Sequence, residues 1–417
     1  MSSIIVGLDI GTTYIRAVIG ELSQDEDKNI EIIGVAKKPS QGLRNGVIVN
    51  IDAAASVIRE VIEEAELSAG IEVTQVYTAI GGSQVEGLNS SGLVGVDQSG
   101  HNRSLEIDSV VKHRVIKAAQ AIRYSEDKRE LHILPQDYII DGTPGYKDPL
   151  GISGVRLEVK TLLIIASVTA LKNIEQCVTR AEYFLDGVML KTLAASYATV
   201  HQEEMEQGSI LIDLGGGTTD VMVLSGGAPV FTASIPAGGN LVTNDIAIVK
   251  KISNATAERL KIDYGCCWIT GNEMNEEVII PGLGGRAPEQ TTRFDLCQII
   301  QPRMEEIFTM VRKEIVHKSN IKELGGNIVL TGGGALMPGI VELAQSVWRT
   351  ENVRIGEVSD LGGADQSYRS PDFATVVGLV LANKDEVASG GRHHKSKEPK
   401  NSSSKESWWK RFTKSFF

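Results

Sequence analysis

The sequence is poor in cysteine, proline and aromatic residues, and it has no long apolar run. With 4 Cys, 12 Pro and 5% aromatic residues in 417, the chain is neither a disulfide-stapled miniprotein nor a proline-rich disordered protein. The cysteines form no CxxC pair, which favours a reducing cytosol. No stretch approaches the roughly 20 apolar residues of a spanning helix, and the apolar N-terminus lacks the basic region of a signal peptide. Any contact with a membrane is therefore expected from one side.

Glycine is abundant instead, with 43 residues, and the length predicts two or three domains at about 150 residues each. Strand-like and helical patterns alternate, as in an α/β protein, beginning with strands at 4–8 and 15–20 and a helix at 53–69. The turn-rich stretch that follows, with a helix predicted at 108–123, indicates an inserted α+β subdomain. Residues 161–167 resemble a buried strand that returns the chain to its first core.

A weak internal repeat is the most informative feature of the chain. VGLDIGTTYIRAV at 6–18 and LIDLGGGTTDVMV at 211–223 share Asp-x-Gly, then Thr-Thr, then a β-branched strand. An isolated DxGTT segment could be an ordinary hairpin turn, but two copies half a chain apart indicate a duplication. The repeat predicts two similar lobes, each offering a phosphate-binding hairpin to a cleft between them.

Each hairpin combines glycines with hydroxyls, which suits a polyphosphate because backbone N–H groups can approach the anion closely. The candidate phosphate-binding residues are Gly11, Thr12 and Thr13 in the first hairpin and Gly215, Gly216, Gly217 and Thr218 in the second. Asp9 and Asp213 end the preceding strands and are candidates to hold Mg²⁺ through water. No P-loop sequence occurs.

A third glycine run, IVLTGGGALMPG at 328–339, follows another apolar strand. Its Gly332, Gly333 and Gly334 could lie flat against a nucleoside because they have no Cβ. In the predicted helix 255–264, Glu258 and Lys261 stand three residues apart and could bind ribose hydroxyls. The alternative is that they form a solvated helix pair.

In this order, the three glycine motifs resemble the phosphate-1, phosphate-2 and adenosine motifs of the actin, Hsp70 and sugar-kinase superfamily. Other segments resemble the FtsA family of bacterial cell-division proteins along nearly the whole folded length. They include LHILPQDYIIDG at 131–142, DPLGISGVRLEVK at 148–160 and SIPAGGNLVTNDIA at 234–247. Two of these lie within the insertion, where generic actins have no counterpart.

The resemblance implies an actin-like two-lobed α/β fold that binds ATP with Mg²⁺, polymerises, tethers the tubulin-like protein FtsZ to the membrane and recruits later division proteins. Three arginines are then candidate contacts for the acidic FtsZ C-terminal peptide, or else solvated side chains: Arg286, Arg293 and Arg303. The implied division is 1–81 with 163–198 and 360–386 for the first lobe, 82–162 for the insertion, 199–240 with 301–359 for the second lobe, 241–300 for its outer part, 387–406 for a disordered linker and 407–417 for a terminal helix.

The connecting segment before the second lobe departs from the superfamily. Where many relatives of that superfamily place a Glu or Gln that orients the attacking water, this chain has Lys191 and Thr192. A protonated lysine cannot act as that base. We therefore expect ATP binding with weak or absent hydrolysis.

The C-terminal tail reverses the charge of the body. Eight basic and two acidic residues follow residue 390, so the tail carries +6 and the rest carries −17 of the total −11. An acidic body argues against nucleic-acid binding. Residues 407–417 form an amphipathic helix when plotted at 100° per residue, too short to span a bilayer and suited to an anionic membrane surface. The candidate membrane contacts are Trp408, Trp409, Lys410, Arg411, Phe412, Lys414, Phe416 and Phe417.

Other interpretations remain open at this stage. The terminal helix could dock its aromatic residues onto the protein's own core. A sugar-kinase-like phosphotransferase could use the same cleft, although it would have no need for such a helix. An actin-like adaptor of another envelope machine, such as a pilus, would keep the cleft but lose the FtsZ site.

Overall fold

A computed structural model describes residues 3–23, 29–97, 103–269, 275–281, 287–319 and 326–388. The terminal helix predicted at 407–417, Arg286 and nearly all of the linker predicted at 387–406 lie outside the described residues.

The described chain alternates strands and helices, as the sequence predicts. The strands are β1 (Ser3–Ile10), β2 (Tyr14–Leu22), β3 (Ile30–Pro39), β4 (Leu43–Arg44), β5 (Val47–Ile48), β6 (Gln75–Ile80), β7 (Val85–Gly95), β8 (Leu105–Glu106), β9 (Lys128–Ile140), β10 (Thr143–Tyr146), β11 (Ser153–Gly154), β12 (Arg156–Ser167), β13 (Phe184–Leu190), β14 (Ser209–Leu214), β15 (Thr219–Ser225), β16 (Ala228–Ile235), β17 (Glu277–Ile280), β18 (Glu289–Thr292), β19 (Asn327–Thr331) and β20 (Val353–Ile355). The helices are α1 (Ile51–Ala69), α2 (Ser109–Ala119), α3 (Val168–Arg180), α4 (Lys191–Thr199), α5 (Gln202–Gln207), α6 (Gly239–Lys250), α7 (Asn254–Tyr264), α8 (Arg293–Lys318), α9 (Ile340–Trp348), α10 (Ala374–Ala382) and α11 (Lys384–Ala388).

The first lobe contains a five-stranded sheet in the order β13-β6-β1-β2-β3. β1, β2 and β3 are antiparallel neighbours, whereas β6 and β13 run parallel to β1 and to each other. Helix α1 begins where the Asn50 side chain accepts a hydrogen bond from the Ala53 N–H and ends at Gly70, which adopts the left-handed conformation. Its apolar face packs on this sheet and shields one side of the core.

The second lobe repeats this topology. Its sheet has the order β16-β15-β14-β19-β20, with an antiparallel β14, β15, β16 meander followed by parallel β19 and β20. The meander and the two parallel strands therefore correspond element by element to those of the first lobe. This correspondence matches the two similar lobes that the two Asp-x-Gly segments predict.

Helices α4 and α10 lie between the two sheets and join them into one core. Residues of α4 and α10 pack in the same apolar cluster as Leu211 of β14 and Met222 of β15. The two helices meet at Gly378, where a Cβ would lie only 1.8 Å from the Ala194 carbonyl oxygen. A glycine is needed at this crossing because any side chain would separate the helices.

The insertion has its own four-stranded sheet, β10-β9-β12-β7, covered by α2. The helix predicted at 108–123 is shorter, because Asp108 caps its start and the chain turns after Ala119. Residues 161–167 form a strand, as predicted, but they are the second half of β12 and pair with β7 and β9 of the inserted sheet. The boundary predicted between 162 and 163 therefore falls inside a continuous strand.

Candidate functional site

A cleft between the lobes encloses a cavity of about 310 Å³. Both repeat hairpins, the third glycine turn and one side of α7 line it. Every nucleotide and metal candidate named from the sequence lies in this lining: Asp9, Gly11, Thr12, Thr13, Asp213, Gly215, Gly216, Gly217, Thr218, Glu258, Lys261, Gly332, Gly333 and Gly334. The fold thus brings together residues from four separate stretches of sequence.

In the first hairpin, Asp9 is buried at the end of β1 and faces Arg16 across the β1/β2 pair. Arg16 Nη1 lies 3.7 Å from Asp9 Oδ2, and Arg16 Nη2 lies 2.6 Å from Asp372 Oδ2. Lys37 Nζ lies 2.7 Å from the same Asp372 oxygen. These two cations lower the pKa of Asp372 to about 2, although burial alone would raise it.

In the second hairpin, Asp213 is buried at the same position of β14 but faces another carboxylate, Asp220 of β15. Asp220 Oδ1 accepts a hydrogen bond of 3.0 Å from the Gly82 N–H, and its Oδ2 accepts one of 3.2 Å from the Thr218 hydroxyl. Burial, chiefly, and the neighbouring Asp220 and Asp9 charges raise the pKa of Asp213 to about 6, against the opposing effect of Lys191.

The two hairpin turns meet face to face. A Cβ on Gly216 would lie 1.9 Å from Thr13 Oγ1, and a Cβ on Gly217 would lie 2.9 Å from Thr12 Oγ1. In the described part of the chain, no backbone carbonyl accepts a hydrogen bond from the N–H groups of Gly216 and Gly217. Two donors at the mouth of the cavity are therefore available to an anion.

The third glycine turn closes the cleft beside Asp213. Gly332 has φ +81°, and a Cβ there would lie 2.2 Å from Asp213 Oδ1. A Cβ on Gly333 would meet no atom within 4 Å, so the backbone of this residue faces open space. The turn thus combines one glycine that is sterically required with one that leaves a flat backbone surface for a ligand.

Glu258 and Lys261 lie on the cavity side of α7 and belong to a local network. Lys261 Nζ lies 2.7 Å from Glu258 Oε2 and donates to Thr243 Oγ1 at 2.9 Å and to the Gly239 carbonyl at 3.2 Å. The Thr243 hydroxyl also donates to the Glu258 carboxylate. This pair therefore holds α7 against the start of α6, where Gly239 and Asn240 contact the second hairpin.

Lys191 is the first residue of α4, and its side chain points into the cleft. Its Nζ lies 2.9 Å from Asp9 Oδ1. Burial alone would lower the pKa of Lys191, but the charges of Asp9, Asp213 and Asp220 raise it above its ordinary value. The lysine therefore stays protonated. Thr192, the second residue considered at this position, is fully buried and does not line the cavity.

Four charged residues of the cleft were not identified from the sequence: Arg16, Lys37, Asp220 and Asp372. Asp220 ends the DLGGGTTD segment, so the motif itself carried a signal for it. Arg16 and Asp372 are 356 positions apart in the chain, and no local pattern relates them.

The carboxylates in the cleft are suited to Mg²⁺ by chemistry more than by coordination geometry. Asp9 and Asp213 supply the hard oxygen atoms that Mg²⁺ prefers. Among the described residues, however, no cluster of three or more His, Cys, Asp or Glu side chains is arranged to hold a metal ion. The residues present therefore fit an ion bound through water rather than one enclosed by protein ligands.

The two described arginines of the predicted peptide site have carboxylate partners within the chain. Arg303 Nε and Nη2 lie 2.6 Å and 3.1 Å from the two oxygens of Asp245, and Arg293 Nη1 lies 3.1 Å from Glu276 Oε2. Both arginines lie on α8, and neither lines the cleft. A peptide that binds them would compete with these internal carboxylates.

Relatives of known family cover almost the whole chain. A division protein FtsA of Borreliella burgdorferi is 41% identical over 91% of this chain and 90% of its own length, and one of Pseudomonas aeruginosa is 37% identical over 95% and 94%. The chain belongs to the FtsA family. The family models agree: one for cell division protein FtsA matches residues 210–378, and one for the SHS2 domain inserted in FtsA matches residues 82–165.

Solved structures confirm the actin-like fold of this FtsA-family chain. The PilM-PilN type IV pilus biogenesis complex aligns with a TM-score of 0.64 at 18% identity, over 90% of this chain and 97% of that one. MreB5 of Spiroplasma citri bound to ADP aligns with a TM-score of 0.53 at 16% identity, over 92% and 97%. At these identities the likeness concerns the fold alone. Membership in the FtsA family favours a role in division over the kinase and pilus alternatives.

Proposed function

We propose that this protein is an ATP-binding, actin-like division protein that polymerises on the cytoplasmic face of the membrane. In this role it binds the C-terminal peptide of FtsZ, and so anchors FtsZ to the membrane, and it recruits later division proteins. The observation that carries the proposal is the cleft, in which two duplicated hairpins, a glycine turn and the Glu258–Lys261 pair line one cavity. The family and the actin-like fold support the same role.

Each part of the cleft suits one part of ATP. The free N–H groups of Gly216 and Gly217, with the hydroxyls of Thr12 and Thr13, would hold the phosphates. The open backbone at Gly333 would lie against adenosine, and Glu258 and Lys261 would contact the ribose. Mg²⁺, when bound, would neutralise phosphate charge near Asp9 and Asp213.

Isothermal titration of the full chain with ATP and Mg²⁺ tests this assignment. We expect one site per chain, with ATP bound more tightly than GTP. Glu258→Ala should weaken ATP binding by about ten- to a hundredfold, since a hydrogen bond to a charged group contributes about 1.5–3 kcal/mol. Glu64→Ala, which removes a surface carboxylate that pairs with Lys38 and does not line the cleft, is the matched control. A chain that binds no ATP would contradict the proposal.

We propose that hydrolysis of ATP is slow or absent, because Lys191 stays protonated at the start of α4 and cannot orient water as a base. Phosphate release by pure protein with liposomes is the test. A linear rate above about one per minute per chain would exceed what positioning without a base should provide and would refute this point.

We propose that residues 407–417 bind the membrane. Among the described residues, no helix combines the length and apolar character required to cross a bilayer. Deleting 407–417, or introducing Trp408→Asp with Phe412→Asp, should abolish co-sedimentation with anionic liposomes, because the aromatic face would lose its apolar burial. Phe184→Asp removes an aromatic side chain that is 74% exposed on the body and should leave co-sedimentation intact. Undiminished binding by the tail variants would exclude this anchor.

We propose that Arg286, Arg293 and Arg303 contact the acidic FtsZ peptide. Arg293→Glu should weaken binding of a labelled peptide, measured by fluorescence anisotropy, by about tenfold or more through charge reversal. Arg180→Glu removes an exposed arginine paired with Asp52 on the other lobe and serves as the charge-matched control. Equal losses in both variants would show that overall charge, and not this site, determines binding.

A further inference from the structure

Lys191 is a cation already placed among the carboxylates of the cleft. Its ammonium contacts Asp9 directly, and its charge acts on Asp213 and Asp220 as well. Gly81 packs closely against this position, because a Cβ there would lie 3.1 Å from the Lys191 Cβ and 3.2 Å from Asp220 Oδ2. The backbone therefore brings the lysine stem and the second-lobe carboxylate side by side, across the gap between the lobes.

The other cations that line the cavity lie closest to other anions. Arg16 and Lys37 contact Asp372 at 2.6 Å and 2.7 Å, and Lys261 contacts Glu258. Of these three, Arg16 also reaches Asp9, at the longer distance of 3.7 Å. Within the described lining, five acidic and four basic side chains face the cavity. Removal of Lys191 would leave five acidic and three basic side chains. Asp9, Asp213 and Asp220 would then face an incoming polyphosphate.

Such a site repels a polyphosphate unless a positive charge stands between the phosphates and the carboxylates. Buried charges interact more strongly than exposed ones, because the surroundings screen them less. A divalent ion usually supplies that charge, and it needs little protein coordination to do so. In this cleft, a fixed ammonium stands next to Asp9, which the sequence had suggested as a Mg²⁺ ligand.

We propose that Lys191 acts as a resident cation for the nucleotide, so that polyphosphate binding depends only weakly on Mg²⁺. The inference rests on the proposal that the cleft binds ATP. It assigns to Lys191 a positioning role in ligand binding, distinct from the water-orienting role that a Glu or Gln would have at this place.

The test compares the affinity for ATP in Mg²⁺ and in EDTA, measured by isothermal titration on the full chain. In wild type, EDTA should weaken binding by less than about tenfold, whereas in Lys191→Met the loss should reach about a hundredfold. With Mg²⁺ present, the variant should bind within about tenfold of wild type, because the divalent ion supplies the missing charge. In Lys191→Arg, the ratio of the ATP affinity in Mg²⁺ to that in EDTA should be close to the wild-type ratio.

Lys38→Met is the matched control, since it removes a lysine from the neighbouring surface of the first lobe, where Lys38 pairs with Glu64. Its ratio of affinities should equal that of wild type. Thermal unfolding without nucleotide gives a second measurement: added Mg²⁺ should stabilise Lys191→Met more than wild type, because the ion would balance the negative charge that the lysine balances in wild type.

The outcomes separate the two proposals. If wild type loses ATP in EDTA as completely as Lys191→Met does, the resident cation is refuted while ATP binding stands. If wild type binds no ATP even with Mg²⁺, both proposals are refuted. Should Lys191→Met not fold, the wild-type comparison decides alone, since retained affinity in EDTA supports the resident cation and loss of affinity overturns it.

Discussion

The two hairpins of the cleft have the same backbone topology but opposite electrostatics. Asp9 and Asp213 occupy corresponding positions, yet Asp9 faces Arg16 across its strand pair, whereas Asp213 faces Asp220. The first carboxylate is therefore paired with cations, and the second is held beside a like charge, with its pKa raised to about 6, mainly by burial. The two lobes share the backbone of the turn but divide the charges unequally.

The largest effect on ATP affinity should come from a substitution that separates the two hairpin turns. In Gly216→Val, the new side chain would overlap Thr13, whose Oγ1 lies 1.9 Å from the ideal Cβ position. We expect ATP affinity to fall by at least about a thousandfold in isothermal titration, equivalent to about 4 kcal/mol. Gly95→Val, at an exposed position of β7 where a Cβ would come no closer than 3.6 Å, should bind ATP normally. Normal binding by Gly216→Val would mean that the turns need not meet.

Neutralising the paired carboxylate should be costly. Asp9→Asn removes the anion that Lys191 and Arg16 share, and breaking a buried ion pair on one side typically costs about 3–5 kcal/mol. Urea unfolding at pH 7.5 should show a loss in free energy of unfolding near the lower end of that range, because Arg16 keeps Asp372. A change below about 1 kcal/mol would show that the pair contributes little to stability.

The corresponding change in the second hairpin should act in the opposite direction. Because the folded-state pKa of Asp213 is raised to about 6, its ionised form destabilises the fold above that pH. Asp213→Asn should therefore raise the free energy of unfolding at pH 7.5 by about 3 kcal/mol. The difference between variant and wild type should shrink as pH falls from about 6 to 4, where wild-type Asp213 takes up its proton. A difference that does not vary with pH would contradict this origin.

The smallest effects on stability should come from the threonine hydroxyls of the two turns, which have different hydrogen-bond partners. Thr12 Oγ1 accepts a hydrogen bond of 2.8 Å from the Gly46 N–H, whereas Thr218 Oγ1 donates to Asp220. Thr12→Ala leaves a backbone donor without this partner and should cost about 1 kcal/mol in urea unfolding. Thr218→Ala should cost less, since Asp220 keeps the Gly82 N–H. The reverse order would show that the hydroxyl bond to Asp220 is the stronger one.

The sequence could predict those parts of the cleft that local spacing encodes. Glycines and threonines after an apolar strand mark a turn that approaches an anion, so both hairpins and the turn at Gly332 were found from residue types alone. The ion pairs of the cleft could not be predicted in this way. Arg16, Lys37 and Asp372 meet only because α10 packs back on the first sheet, and Lys191 was recognised by its place in the chain without its contact to Asp9.

The limits of the inserted subdomain were hard to predict from the sequence for a different reason. TLLIIAS at 161–167 is apolar at nearly every position, so it suits a buried strand in either sheet. Which sheet it joins depends on its partners β7 and β9, which lie earlier in the chain. The predicted helix was placed correctly but extended too far, since the residues that follow Ala119 (QAIR) contain no glycine or proline to mark the turn.

The two faces of β12 belong to different cores. Leu163 and Ile165 pack within the insertion, whereas Leu162, Ile164 and Ala166 pack with the first lobe. The subdomain is therefore joined to the lobe along a shared strand and cannot be exchanged as a cassette cut at 162. A chimera that imports this subdomain from a relative should include the strand through Ser167. In that strand, every second side chain must match the core of the recipient lobe.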